Sequence, residues 1–240
     1  DLWKVNYSKA YYDVDISLLP THNNHGIQLK AASKRKDGSI RIQGKNLKPT
    51  RYNKPITLTK SEIISVSYNK GSQAITKSTF TLNFNKATGK KASISTPPNE
   101  RYPGQPGAFS LVNGIYSNKG LSSPDWLGWI GDDLEATIDL GRLTSFSSVR
   151  MHTLDQNGSW IYLPEYVEVF TSKDGKNFRQ AGRSTQFIKD TLTMGWITVS
   201  FPKTTSRYIK LVAKNKGMIG EGLPGAGNKA WLFADEIQAY

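Results

Sequence analysis

The chain has 240 residues, 37% of them hydrophobic, no cysteine and a formal net charge of +13, with a mean hydropathy of −0.49. These values fit a soluble globular chain and exclude a disulfide framework and a thiol nucleophile. No run approaches the roughly 20 apolar residues of a membrane-spanning helix. Residues 1–95 hold 17 Lys/Arg against 5 Asp/Glu, and residues 96–240 hold 15 against 14. So sharp an asymmetry predicts two units with different surfaces. No nucleic-acid motif accompanies the basic half, so its lysines read as a solvated face and no nucleic-acid partner is expected. The sequence opens on Asp1 without a signal peptide, as a mature chain or a piece of a longer one would.

The first half reads as short strands. Apolar and polar residues alternate from Tyr12 to Leu18, and again over residues 26–33. In residues 39–44, Ile40 and Ile42 face one way and Arg41 and Gln43 the other. Strands at 56–58 and 63–68 precede a turn at Asn69-Lys70-Gly71. Phe80, Leu82 and Phe84 share a face of the next strand. Strands at this spacing without a helical period predict a small β-sandwich of Fn3/Ig-like kind. His22 and His25 have His-x-x-His spacing without an evident third metal ligand, and read as a polar turn. Four prolines and two glycines between residues 96 and 107 interrupt regular structure. The boundary is expected near residue 97, dividing the chain into 1–97 and 98–240.

The second half is also β-rich. Ala136, Ile138 and Leu140 alternate inward, a strand over 165–172 ends in a turn at Asp174-Gly175, and further strands are expected over 195–202, 206–215 and 229–240. Trp196 and Trp231 start strands and read as core. The pattern predicts a second antiparallel sandwich of jelly-roll kind, making the chain all-β. Asn157-Gly158 is a strong turn signal, yet Trp160 and Tyr162 follow at once. Sugars stack their C–H faces on aromatic rings and pair their hydroxyls with polar groups. His152, Asp155, Gln156, Asn157 and Trp160 offer such a set within nine residues, on a loop that a rigid sandwich would present. Trp160 either stacks on a ligand there or packs under the loop. Of Trp126 and Trp129, one is expected in the core and one at the rim of the same surface. The glycine-rich loop 214–231 lacks the Lys-Ser/Thr ending of a phosphate loop and reads as a flexible rim.

The second half resembles the discoidin, or coagulation-factor type C, domain, known in bacterial enzymes as carbohydrate-binding module family 32. "LVNGIYS" (111–117), "WLGWIGDDLEATIDLG" (126–141), "LPEYVEVFTSKDGKNF" (163–178), "SRYIKLVA" (206–213) and "FADEIQAY" (233–240) carry the resemblance in order. The first half resembles the small sandwich near the C-terminus of chitobiases, on "NKPITLTKSEIISVSYNKGSQ" (53–73) and "FNKATGKK" (84–91). Its usual glycine-and-aspartate turn is replaced by "GKNLKPT" (44–50). Together they are similar to the tail of secreted bacterial β-N-acetylhexosaminidases of glycoside hydrolase family 20. This implies a discoidin-type, galactose-binding-like jelly roll after the small sandwich, and a secreted, periplasmic or outer-surface location in a bacterium.

The resemblance further implies that this region is not itself an enzyme. The family's (β/α)₈ barrel needs about 250 residues, and its His-x-Gly-Gly-Asp-Glu motif is absent from the sequence. The implied partners are a glycan ending in N-acetylhexosamine or galactose and the catalytic domain of the parent chain. The implied sugar site is loop 152–160, with Trp129 as a rim aromatic. Many galactose-binding members carry an arginine just before the turn, where this sequence has Leu154 or Asp155. Members often hold a structural Ca²⁺, whose matching positions are Asn113, Ser117 and Glu236; the family often has Asp where Asn113 stands. Two alternatives remain open: a spacer of the parent glycosidase without sugar binding, and polyanion binding by the basic first unit.

Overall fold

The protein, described here by a computed structural model, is resolved into elements over residues 13–240; the alternation expected from Tyr12 begins outside the described residues. Among them are fifteen strands, short 3-10 turns and no α-helix. The first strands are β1 (Asp15–Pro20), β2 (Ile27–Ala32), β3 (Ser39–Gly44), β4 (Thr50–Arg51), β5 (Ile56–Leu58), β6 (Glu62–Lys70) and β7 (Gln73–Leu82). They form two antiparallel sheets, ordered β1-β2-β5 and β4-β3-β6-β7. The alternation dictates which face is dry: Ile27, Leu29, Ile42, Ile64, Val66 and Leu82 are fully buried, while Arg41, Gln43 and Lys77 stay exposed. Gly71 takes φ 60 at the β6–β7 turn, a conformation that glycine adopts without strain.

The second set begins with β8 (Lys91–Ile94), which pairs with the long strand β10 (Leu134–Leu154) through Ala92↔Ile138 and its neighbours. This strand precedes the boundary expected at residue 97, yet its hydrogen bonds belong to the second sheet. After β9 (Leu127–Ile130) and β10 come β11 (Tyr166–Ser172), β12 (Arg179–Ser184), β13 (Phe187–Thr191), β14 (Met194–Lys214) and β15 (Trp231–Ala239). The main path runs β12-β11-β14-β10-β15-β9. The two 21-residue strands β10 and β14 pair along their length, with irregularities between Asp139 and Thr144 and between Phe146 and Ser148. Bulges of this kind let one strand serve both layers of a sandwich. The first half of β10 lies between β8 and the end of β14; its second half lies between β15 and the start of β14.

The largest of three buried apolar clusters spans both units, and two smaller ones lie around Trp126 and Phe233 and around Tyr162. The largest includes Leu29, Val66 and Leu82 of the first unit and Leu111, Ile138, Met151, Val169, Leu211 and Ile237 of the second. The amide of Asn83 donates to the Gly114 carbonyl (2.8 Å), and that of Lys86 to the Ala239 carbonyl (3.2 Å). The two units therefore share a core despite their different surface charge.

Candidate functional site

Strand β15 does not alternate: its residues from Leu232 to Ala239 are all buried. The ladder explains this. His152 of β10 faces Glu236, but the next residue, Thr153, faces Ala234, so Asp235 is an extra residue in the strand. The bulge turns both adjacent acids into the protein. Asp235 places Oδ1 2.7 Å from His152 Nδ1 and accepts the Ser117 amide on Oδ2, also at 2.7 Å. His152 is fully buried, stacked on Trp126 (5.6 Å, 13°) and bounded by the rings of Tyr116 and Trp196. His152 is thus a core residue held by Asp235 and cannot touch a sugar, contrary to expectation. Burial pushes the Asp235 carboxyl up, against the opposing pull of His152.

Trp129 is a second correction. It is buried, and its Nε1 donates to the Thr96 carbonyl at 2.9 Å. Trp126 is buried too, donating to the Gly120 carbonyl at 2.8 Å. Both tryptophans of the "DWLGWIG" run are therefore core, because the flanking 3-10 segments and linker cover them.

The remaining four expected sugar contacts do gather at one end of the second sandwich. Residues 157–159 make a single 3-10 turn, which ends at Trp160 with φ 62 and ψ 20. Left-handed backbone at a bulky residue costs about 1 kcal/mol or more. The Trp160 carbonyl accepts the Trp231 amide at 2.8 Å, which ties the loop to β15. One face of the indole lies over Gly225, where a Cβ would come within 2.5 Å of the ring. The residue is 40% exposed. Gln156 Nε2 donates to Ser159 Oγ (2.7 Å). Asn157, oriented to satisfy its neighbours, donates to Asp155 Oδ1 (2.8 Å) and the Ile161 carbonyl (3.0 Å). Asp155 is half-buried; burial raises its carboxyl above the usual range and Lys189 works against that.

Beside this loop lies a cleft of about 300 Å³ lined by Arg101, Tyr102, Ser159, Ile161, Trp231 and Phe233, with Leu121 at its edge. Tyr102 packs edge-on against Trp231 (5.5 Å) and Phe233 (4.7 Å). Trp231 is half-buried and packs against the smaller cluster around Trp126 and Phe233. Arg101 and Tyr102 were hidden from sequence reading by their place in a proline-rich linker. The signal that could have found them is an arginine-tyrosine pair in an otherwise small, turn-forming stretch. The glycine-rich loop is pinned rather than loose: the Tyr162 hydroxyl donates to the Pro224 carbonyl (2.8 Å), and Ile219 and Asn228 are joined through the backbone.

Of the three expected metal positions, Glu236 reaches the 113–117 segment through the Gly114 amide, while Asn113 and Ser117 bond to other groups. Glu236 is fully buried; Oε2 accepts the Gly114 amide (3.1 Å), while Oε1 has no hydrogen-bond partner. Asn113 Oδ1 accepts the Ile115 amide (2.7 Å), and Ser117 Oγ donates to the Gly120 carbonyl (3.3 Å). Burial, reinforced by Asp235 beside it, holds the Glu236 carboxyl well above its ordinary range. Polar side chains of Gln238 and Asn85 also act on this carboxyl and pull against the burial, and a hard cation would act in the same direction.

An antiparallel jelly roll with an aromatic cleft at its loop end defines a discoidin-type module. The family profile of the F5/8 type C domain matches residues 90–231. The chain belongs to this family. No curated protein matches it. Among solved structures, it is similar to chitosan-binding module 1 of a chitosanase/glucanase from Paenibacillus sp. IK-5, at 15% identity over 66% of this chain and 99% of that one, with a TM-score of 0.42. It is also similar to a Clostridium perfringens module in complex with GalNAc-β-1,3-galactose (20% identity, 63% and 94% covered, TM-score 0.41). A third is a fucose binding module of Streptococcus pneumoniae (16% identity, 66% and 95% covered, TM-score 0.41).

Proposed function

We propose that this chain is a non-catalytic, carbohydrate-binding region of a secreted β-N-acetylhexosaminidase, placed in the periplasm or on the outer surface of a bacterium. It holds a glycan ending in N-acetylhexosamine or galactose at the loop end of its second sandwich. The observation that carries this reading is Trp160: an aromatic ring held open in a strained conformation, beside a cleft with two further half-buried rings. Asp155 and Gln156 lie on the same loop and supply polar groups for sugar hydroxyls. Among the described residues no carboxylate lines the cleft, whereas hydrolysis of a glycosidic bond calls for a flanking pair. The module's partner within its own chain is the catalytic domain, whose effective substrate concentration a modest sugar affinity would raise.

A spacer role without sugar binding has one observation in its favour. An apolar groove of about 440 Å³, lined by Ile16, Leu18, Phe80, Pro106 and Ile115 among others, lies between the two units and could seat a neighbouring domain. A glycan array probed with the purified chain, with and without calcium, separates the readings. Selective binding of neutral N-acetylhexosamine or galactose glycans supports the lectin-like module; silence across the array leaves the spacer.

In this reading Glu236, with oxygens of the 113–117 segment, would hold a structural Ca²⁺. The linkage has a definite sign. A carboxyl raised in the folded state contributes stability that is fully present below its unfolded value near 4.5 and is lost as pH rises through the raised value. In EDTA the melting temperature is therefore expected to fall as pH rises from about 4.5 toward neutrality. Glu236→Gln should flatten that fall, raising the neutral-pH Tm by about 2–4 °C for each kcal/mol of penalty removed. Calcium should raise the Tm of the wild-type chain and not of the variant. Calorimetry over this pH range checks both; equal slopes for the two proteins would contradict the assignment.

A further inference from the structure

The cations of the first unit are not evenly spread over its surface. On the outer face of the second small sheet, Arg51 of β4 stands opposite Arg41 of β3, Arg41 opposite Ser67 of β6, and Ser67 opposite Lys77 of β7. These four residues form one row across four strands. With strands about 4.8 Å apart, the row places the backbone of Arg51 and Lys77 about 14 Å apart. The neighbouring row is Gln43, Ser65 and Thr79, with Ser65 Oγ 2.9 Å from Thr79 Oγ1. Arg41, Gln43, Ser65, Ser67 and Lys77 line a shallow groove of about 210 Å³ together with Asn69.

This row is electrostatically unbalanced. Like charges directly opposite on adjacent strands destabilise a sheet, and Arg41 and Arg51 are such a pair. None of Arg41, Arg51 and Lys77 makes an ion pair among the described residues, unlike Arg35 and Lys70, which converge on Asp37. Asp37 and Glu62 are engaged elsewhere: Asp37 also accepts from Tyr68, and Glu62 accepts the amides of Lys45 and Asn46. An anion laid along the row would remove the repulsion and meet all three cations.

We propose that this face binds an anionic polysaccharide, at a site separate from the cleft beside Trp160. The chemistry favours a sugar polymer over other polyanions. Hydroxyls and an amide from Ser65, Ser67, Thr79 and Gln43 alternate with the cations and match sugar hydroxyls. Among the described residues, no aromatic ring lines the groove for bases to stack on, and no exposed Leu, Ile or Phe lines it to enter a bilayer.

The test is affinity electrophoresis of the whole chain in dextran sulfate and in polygalacturonate, with uncharged dextran as the reference. Retardation by the charged polymers alone is expected, weakening at least tenfold between about 0.05 M and 0.5 M salt as screening sets in. The double variant Arg41→Gln/Arg51→Gln should lose at least tenfold in affinity while its Tm stays equal or rises. Lys173→Gln/Lys176→Gln, which removes two exposed lysines from the second unit, should bind as the wild type does. Equal losses in both lysine and arginine pairs would reduce the effect to net charge and overturn the site. No retardation, or tighter binding to a DNA duplex or to phosphatidylserine vesicles than to either polysaccharide, would overturn it as well.

Discussion

Asp235→Ala is expected to destabilise the protein by about 3–5 kcal/mol, the usual cost of removing one member of a buried pair. Asp235 and His152 have no exposed surface. Both carboxylate oxygens are used, one by His152 Nδ1 and one by the Ser117 amide. Alanine would leave a dry imidazole nitrogen and a dry backbone amide without partners, each costing about 1–3 kcal/mol. It would also open a void beneath the stacked rings of Trp126 and His152. Asp235→Asn is the informative companion. An asparagine can accept the Ser117 amide on its oxygen and donate its NH₂ to His152 Nδ1 if the imidazole proton sits on Nε2. Its cost should therefore be well below that of alanine. Urea unfolding of the three proteins measures the differences; an alanine variant within 1 kcal/mol of wild type would show that the bulge is not held by this pair.

Trp160→Ala is expected to weaken glycan binding by at least about 30-fold, since truncation of a central aromatic anchor costs about 2 kcal/mol or more. Its effect on folding should be small, because the residue is already 40% exposed and lies against Gly225. Trp160→Gly sharpens the test. Glycine accepts the left-handed backbone at φ 62 without strain. The Gly variant should melt no lower than the Ala variant, while binding is lost in both. Calorimetric titration with a glycan identified on the array, alongside thermal melts, reads both quantities. Binding unchanged by either substitution would move the sugar site away from this loop. Binding lost together with cooperative unfolding would mark Trp160 as a structural cap.

The all-β class and most strand positions were legible from local chemistry. Ile42 against exposed Arg41 and Gln43, and Ala136, Ile138 and Leu140, are buried on the side their alternation predicts, with Ile40 half-buried, because a period of two leaves one face dry wherever a sheet has a core. The turn at Asp174-Gly175 was equally local: Gly175 takes φ 74, and Asp174 accepts the amides of Lys176 and Asn177. The aromatic nature of loop 155–160 was visible, as was the crowding of cations into the first unit.

What only the tertiary structure decided were features set by neighbours distant in the chain. His152 looks like a loop-end ligand in sequence, but an extra residue on β15, more than 80 positions away, delivers Asp235 to it. Trp129 and Trp231 both border β-segments; which one reaches solvent depends on how the linker at Thr96 and Tyr102 folds over them. The cation row exists only through strand register, since Arg51, Arg41 and Lys77 are scattered in sequence and aligned by hydrogen bonding alone. Alternation is a property of one strand and can be read along it. Bulges, layer changes and cross-strand rows are relations between strands, and the energy that selects them comes from packing and paired polar groups that no single segment contains.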